Sequence, residues 1–263
     1  MFALGGDAFP TDSQSLIVAL NRGASAHGAG ENAVVLGGTF PSLETLRMNL
    51  TGVHLDSRMP AAKITENAAG GFFARALEVT AEPATAAGIP IQLRVQAQDC
   101  VFTFGTTADG ARAARLETCA GGTFDAEAAT TDIESALLAL ARDAASKHGA
   151  EVQSVRVTFE TENPRQIAVT AVAVAKAMFF TATLTIRGRL ALDEELNLRL
   201  TDATCTGDGM IANLAASQLR PRLAELESRT FSIGSVLPAG LRATDIAMSG
   251  GASLRIRATF GAK

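Results

Sequence analysis

The sequence contains no tryptophan and no tyrosine, although 13 of its 263 residues are phenylalanine. Phenylalanine fills hydrophobic cores without needing a hydrogen-bond partner, whereas tyrosine and tryptophan dominate protein-docking hot spots and sugar-stacking platforms. The absence of both residues argues against a carbohydrate-binding site or a flat protein-docking surface. The length is sufficient for one large domain or two small ones, with ample material for a core.

The sequence also lacks a dominant charge and a long apolar run. Its 23 lysines and arginines against 27 aspartates and glutamates give a net charge of −4, which offers no electrostatic footprint for nucleic acid. The most apolar window, Ile167 to Leu184, contains Lys176 and many β-branched residues, so it predicts strands rather than a membrane span. The first residues show no basic or apolar signal region, as in a cytosolic protein or a mature exported one.

Residues with catalytic or metal-binding chemistry are few. The three histidines are His27, His54 and His148, and no two of them have metal-ligand spacing. His27 and His148 each precede a glycine at a predicted helix end, where the helix dipole favours a cation, and His54 lies on the polar side of a predicted strand. No nucleophile elbow, P-loop or dinucleotide fingerprint is present. We therefore predict no catalytic residues, no metal and no cofactor, and hence no enzyme.

The central stretch, Gly121 to Gly149, predicts an amphipathic helix after a glycine-marked turn. Thr131 and Glu134 have the spacing of a capping box at its start. Its apolar residues recur at the spacing of one helical face. That face comprises Ile133, Leu137, Leu140, Ala141 and Ala144.

Two further segments repeat this pattern. From Gly5 to Gly28, Thr11 and Gln14 repeat the capping-box spacing before another apolar helical face. After Cys205 a looser copy begins, and Pro221 in its middle predicts a kink or a break. The Gly207-Asp208-Gly209 segment before this third helix is interpreted as a plain turn rather than as an anion site.

The clearest hairpin runs from Ile91 to Cys119, with Asp109-Gly110 as its turn. A turn at that position places Cys100 opposite Cys119. The spacing leaves two alternatives open, a cross-strand disulfide or two buried free thiols. A disulfide would imply an oxidising compartment.

The order of the predicted elements is helix, meander, helix, meander, helix, hairpin. Strands joined by short turns favour antiparallel pairing, and their alternation predicts one covered and one wet sheet face. We therefore predict an α+β fold in which long curved antiparallel sheets wrap around amphipathic helices. The prediction is one elongated domain, residues 1–263, built from three repeated units at 1–120, 121–205 and 206–263.

Two phrases carry a family resemblance: VVLGGTFPSLETLRMNLTGVHLDS, from Val34 to Ser57, and LTIRGRLALDEELNLRLTDATCTGDGMIANLAASQLRPRL, from Leu184 to Leu223. This pattern resembles the tubular lipid-binding (TULIP) superfamily and, within it, a bacterial group of small exported lipid-binding proteins. The resemblance implies a curved sheet rolled around a long helix with lipid tails between them. It also implies a periplasmic or otherwise exported protein, with a cytoplasmic one left as the alternative.

The expected function is non-enzymatic binding of a hydrophobic ligand, most simply a lipid, for lipid transport or envelope maintenance. The alternative is a structural or assembly module of a cell-envelope complex. Expected partners are a lipid or another hydrophobic small molecule and a transient membrane or envelope protein, but not nucleic acid. The predicted ligand-lining residues are Phe102, Phe104, Leu137, Leu140, Phe159, Phe180, Leu184, Ile186, Leu219 and Leu223.

Overall fold

The computed structural model describes residues 1–55, 64–146, 150–177, 180–193, 197–232 and 241–262. Within those ranges the chain forms three helices and fifteen strands, arranged in two sheets that are not closed. The predicted α+β class and the largely antiparallel pairing are therefore confirmed. His148 lies outside the described residues, and so does the side chain of Phe180.

The three helices lie close to their predicted positions: α1 is Ser13–Ser25, α2 is Thr130–Ser146 and α3 is Met210–Ser228. The capping box of α1 is formed by Asp12 and Ser15 rather than by the predicted Thr11 and Gln14. Helix α3 runs through Pro221 without a break.

The first sheet has ten strands. Its main path runs in the order β14-β15-β8-β6-β5-β3-β2. Off this path, β7 pairs with β6, β1 pairs with β7, and β4 pairs with β5. Strands β3 and β4 run parallel to β5, whereas β5, β7 and β8 are antiparallel to β6. The strands are β1 (Phe2–Leu4), β2 (Val34–Thr39), β3 (Ser42–Asn49), β4 (His54–Leu55), β5 (Ile64–Ala86), β6 (Ile89–Thr107), β7 (Arg112–Thr118), β8 (Gly121–Ala129), β14 (Leu241–Ser249) and β15 (Ser253–Ala262).

The predicted hairpin is the pair β6–β7, and its turn lies at Asp109-Gly110 as expected. The glycine pair at Gly121-Gly122, predicted as a turn, instead begins β8 and pairs with Gln98 and Ala97 of β6. Strand β6 is long enough for β7 and β8 to pair with it in succession.

The second sheet has five antiparallel strands in the order β13-β12-β11-β10-β9. Each of these strands pairs with its neighbour along the chain, which makes the sheet a simple meander. The strands are β9 (Glu151–Asn163), β10 (Gln166–Ala177), β11 (Phe180–Leu192), β12 (Asn197–Asp208) and β13 (Thr230–Ser232).

The chain divides into two compact units. The first unit comprises Met1–Glu127, Ser235–Ile246 and Arg257–Lys263, and the second comprises Ala128–Gly234 and Ala247–Ile256. Each unit contains its own buried cluster of apolar side chains.

The core of the first unit is built around phenylalanine rings beneath α1. Phe72 stacks on Phe102 with ring centroids 4.5 Å apart, and Phe9 stacks on Phe104 at 5.6 Å. Offset aromatic pairs at these distances fill space densely and add to the free energy gained by burial. Phe102 and Phe104 are each only 1% exposed, so this part of the unit is solidly packed.

The core of the second unit lies between α3 and strands β11 and β12. Cys205, Ala216 and Leu223 are buried there, and partly buried apolar side chains pack against them. Those partly buried residues are Leu184, Ile186, Ala203 and Leu219.

Candidate ligand-binding site

Strand β1 lies against α1 and β7 in the first unit. Its register places Phe2 opposite Ala114 and Leu4 opposite Arg112 of β7. Helix α1 approaches β1 closely at Gly23, where any Cβ atom would overlap the carbonyl group of Ala3. A glycine at this helical position therefore allows β1 to form one wall of the space beside α1.

A second wall comes from the segments around the two histidines of the described chain. His27 follows the end of α1, and His54 begins β4. The backbone N–H of His54 donates to the carbonyl of His27 at 3.0 Å. This bond holds the two residues side by side, although the sequence separates them by a strand pair.

These elements enclose a cavity of about 710 Å³. This volume lies within the range of roughly 300–1,000 Å³ that is typical of small-molecule sites. Most of the cavity surface is apolar, and a few polar side chains line the rest. The larger apolar lining residues are Phe2, Leu20, Met48, Leu50, Val53 and Ala113. The polar lining residues are His27, His54, Thr107, Asp109 and Arg112.

Asp109 is engaged by the hairpin turn that carries it. The hydroxyl of Thr107 lies within hydrogen-bonding distance of the Asp109 carboxylate and of the Ala111 carbonyl, the latter at 2.9 Å. The hydrogen bond from Thr107, with smaller contributions from backbone N–H groups, lowers the pKa of Asp109. The carboxylate therefore stabilises the turn beside the cavity.

Arg112 is held at the cavity by contacts with the N-terminal segment. Its Nη1 atom donates to the carbonyl of Gly6 at 2.8 Å, and its guanidinium lies 5.6 Å from the ring centroid of Phe9. A guanidinium has five N–H donors, so donors remain for a ligand after the Gly6 bond. Arg112 thus supplies a fixed positive charge beside an apolar space.

A second, smaller cavity of about 500 Å³ also lies in the first unit. Its lining includes Thr45, Arg47, Glu78, Gln96 and Gln98, and the Arg47–Glu78 ion pair at 3.5 Å lies among them. These side chains alternate with buried ones along their strands, as on a solvated sheet face. Its surface is therefore less apolar than that of the larger cavity, although Leu77 and Ala97 also line it.

None of the nine predicted lining residues whose side chains the structure describes lines either cavity, and the tenth, Phe180, is not among them. Phe102 and Phe104 belong to the packed ring cluster, and Phe159 is buried in the second unit. Leu137 and Leu140 are 36% and 64% exposed on α2. The remaining described residues of the set, Leu184, Ile186, Leu219 and Leu223, pack around Cys205.

All three cysteines are free thiols in the structure, and all three are buried. Burial, together with the neighbouring charges of Cys119 and Asp99, raises the pKa of Cys100 to about 12. Burial also raises the pKa of Cys119 and of Cys205. Protonated thiols of this kind are weak nucleophiles.

No group of three or more metal-ligating side chains occurs among the described residues. In the same part of the chain, no helix has the length and apolarity needed to cross a bilayer.

Searches of known proteins returned no match to the chain, whether among family models, curated proteins or solved structures. Evidence on function therefore comes from the geometry of the cavity. The sequence analysis identified His27 and His54 but did not predict that they lie side by side. It did not identify Phe2, Leu20 or Arg112 as lining residues. Gly23 inside an apolar helix could have indicated the close approach of another segment to α1, and the turn at Asp109-Gly110 could have indicated that Arg112 begins a strand.

Proposed function

We propose that the chain binds a hydrophobic ligand with an anionic end, such as a fatty acid or a phospholipid, in the cavity between β1, α1 and β7. The observation that carries this proposal is a cavity of about 710 Å³ whose surface is mainly apolar and whose lining includes the guanidinium of Arg112, held in place by the Gly6 carbonyl. Sites of this composition bind small molecules by apolar contact and orient them with a few polar groups.

The apolar part of the ligand would contact side chains from several elements. Met1, Phe2 and Leu50 line the cavity and keep part of their apolar surface exposed, whereas Leu20 and Ala113 lie beneath them with almost none. Each methylene group of a ligand that leaves water for such surroundings contributes about 0.8 kcal/mol. An acyl chain of ordinary length would thus gain enough to offset the entropy lost on binding.

The anionic end of the ligand would lie near Arg112, His27 and His54. Arg112 carries a permanent charge, and a guanidinium binds carboxylate or phosphate oxygens through paired N–H donors. Among the described lining residues, Asp109 is the one acidic side chain, and Thr107 and the turn already use its carboxylate oxygens. The preference for an anion therefore rests on the N–H donors of Arg112 that the Gly6 bond leaves available.

The wider role belongs to the same proposal. We propose that an exported protein uses this site for lipid transport or envelope maintenance, without enzymatic activity. The proposed architecture is a tubular lipid-binding one, in which curved sheets surround amphipathic helices in repeated helix–meander units. The resemblance of the segments 34–57 and 184–223 to that superfamily supports this extension.

The direct test is native mass spectrometry of the purified full chain, followed by solvent extraction and lipid analysis. We expect an adduct of lipid mass that is lost on denaturation and an acidic lipid in the extract. A mass without adduct, together with no binding of an added fluorescent fatty acid, would contradict lipid binding and favour the assembly role.

A further inference from the structure

Paired residues of the first sheet bracket Cys100 and Cys119. Val101 pairs with Thr118, and Gln98 pairs with Gly121. Between these pairs lie Asp99 and Cys100 on β6 and Cys119 and Ala120 on the other side, so the two cysteines are neighbours across the strands. Strand β7 ends at Thr118 and β8 begins at Gly121, which leaves Cys119 in the short junction between them.

Opposed residues on neighbouring antiparallel strands are at the right separation for a disulfide. Their Cα atoms lie roughly 4.5–5.5 Å apart. Disulfides use Cα separations of about 4.4–6.8 Å. In the junction between β7 and β8, the backbone N–H of Ala120 donates to the carbonyl of Gln98 at 2.9 Å, which keeps the Cys119 segment beside β6.

Both side chains point into the same core. Cys100 is fully buried and Cys119 is 2% exposed, and both belong to the apolar cluster of the first unit. The charge of Cys119 contributes to raising the pKa of Cys100, which also places the two thiols close together. Cys205 lies in the core of the second unit and provides an internal control.

We propose that Cys100 and Cys119 form a cross-strand disulfide when the chain folds in the presence of an oxidised thiol such as glutathione disulfide. One cysteine thiolate attacks the glutathione disulfide and releases one glutathione, which forms a mixed disulfide. The second cysteine then displaces the other glutathione and closes the protein S–S bond. Two protein thiols are oxidised and one glutathione disulfide is reduced to two glutathiones, with the two thiol protons passing to them. Burial protects the bond afterwards.

The test counts thiols in the folded protein. The reduced full chain is refolded from denaturant in glutathione buffers of several oxidised-to-reduced ratios. The soluble folded fraction is then denatured and alkylated with N-ethylmaleimide. We expect one alkylated thiol, Cys205. Before alkylation, the mass of the folded protein should be 2 Da below that of the fully reduced protein. Arg112 and Arg115 lie between the two cysteines, so trypsin yields separate peptides that only the disulfide keeps together.

Cys205→Ala is the matched control and should retain the linked peptides with no alkylated thiol. The oxidised protein should also unfold at a higher temperature than the reduced one, because the bond closes a loop that restricts the unfolded chain. Three alkylated thiols in the folded fraction at every glutathione ratio would overturn the proposal. A link that involves Cys205, or glutathione adducts without linked peptides, would overturn it equally.

Discussion

The carboxylate of Glu134 in α2 accepts a hydrogen bond from the backbone N–H of Val157, at 2.8 Å. Val157 lies in β9, which pairs with β10 on one side and with no other strand among the described residues. Arg142 of the same helix donates from its Nε atom to the carbonyl of Val152 at 3.0 Å. Two side chains of α2 thus satisfy backbone groups of an edge strand that could otherwise pair with another chain.

We expect Glu134→Ala to lower the free energy of unfolding by about 1–3 kcal/mol, because it removes the acceptor of a partly buried backbone N–H. Glu134→Gln should cost less, since its amide oxygen can still accept the bond. Urea denaturation measures both variants. Glu160→Ala, which removes an exposed carboxylate of the same strand, is the control, and an equal effect of the two alanine variants would contradict this role.

The bond between Glu134 and Val157 is a contact that the local sequence pattern does not predict. Thr131 and Glu134 have the spacing of a capping box, and this local pattern correctly indicates the start of a helix. The helix begins at Thr130, however, and the Glu134 carboxylate bonds to a strand that follows the helix. The sequence spacing carries no information on that tertiary bond.

Gly207 allows α3 to approach β12. A Cβ atom at this position would overlap the backbone carbon and oxygen of Ala212 in the first turn of α3. We expect Gly207→Ala to destabilise the protein by about 1–3 kcal/mol, because the helix must shift from the sheet. Gly30→Ala is the control, since Gly30 has open space around its Cβ direction. Equal denaturation midpoints for the two variants would rule out this packing role.

The pKa of Cys100 predicts a loss of stability at alkaline pH in the reduced protein. The thiol ionises near 9.0 when exposed but at about 12 when buried. Between these values the unfolded chain releases a proton that the folded chain keeps, so the free energy of unfolding falls as pH rises. The stability difference between wild type and Cys100→Ala should fall by about 1 kcal/mol from about pH 8 to about pH 10. A pH-independent difference would contradict the assignment.

Because Arg112 carries a positive charge at the cavity, we expect the protein to prefer anionic ligands. Arg112→Gln should weaken binding of a fatty acid about tenfold, which corresponds to the loss of one charge-assisted hydrogen bond. The fatty alcohol of the same chain length should bind both proteins similarly. Isothermal titration calorimetry measures both ligands, with Arg75→Gln on the exposed side of β5 as the control. Equal losses for acid and alcohol would show that Arg112 acts on the cavity shape alone.

The strands and helices could be predicted from the sequence, but the cavity could not. Alternation and the Asp109-Gly110 turn indicated the β6–β7 hairpin, and the helical spacing of apolar residues indicated all three helices. The cavity depends on β1 pairing with β7, more than a hundred residues later in the chain, and on the bond between His27 and His54. The periodicity of Leu137 and Leu140 marked an apolar helix face but not its contacts, and both residues are exposed.

The most direct test of lipid binding is a titration with a fluorescent polyene fatty acid that compares wild type, Ala111→Trp and Ala139→Trp. Ala111 is an exposed residue of the cavity lining, and Ala139 is an exposed residue of α2 in the second unit. Because the natural chain has no tryptophan, each variant also carries a single emitting side chain. We expect Ala111→Trp to weaken binding at least about tenfold and to transfer energy to the bound probe. Ala139→Trp should bind like wild type, and equal affinities for all three proteins, or no binding by wild type, would contradict the account.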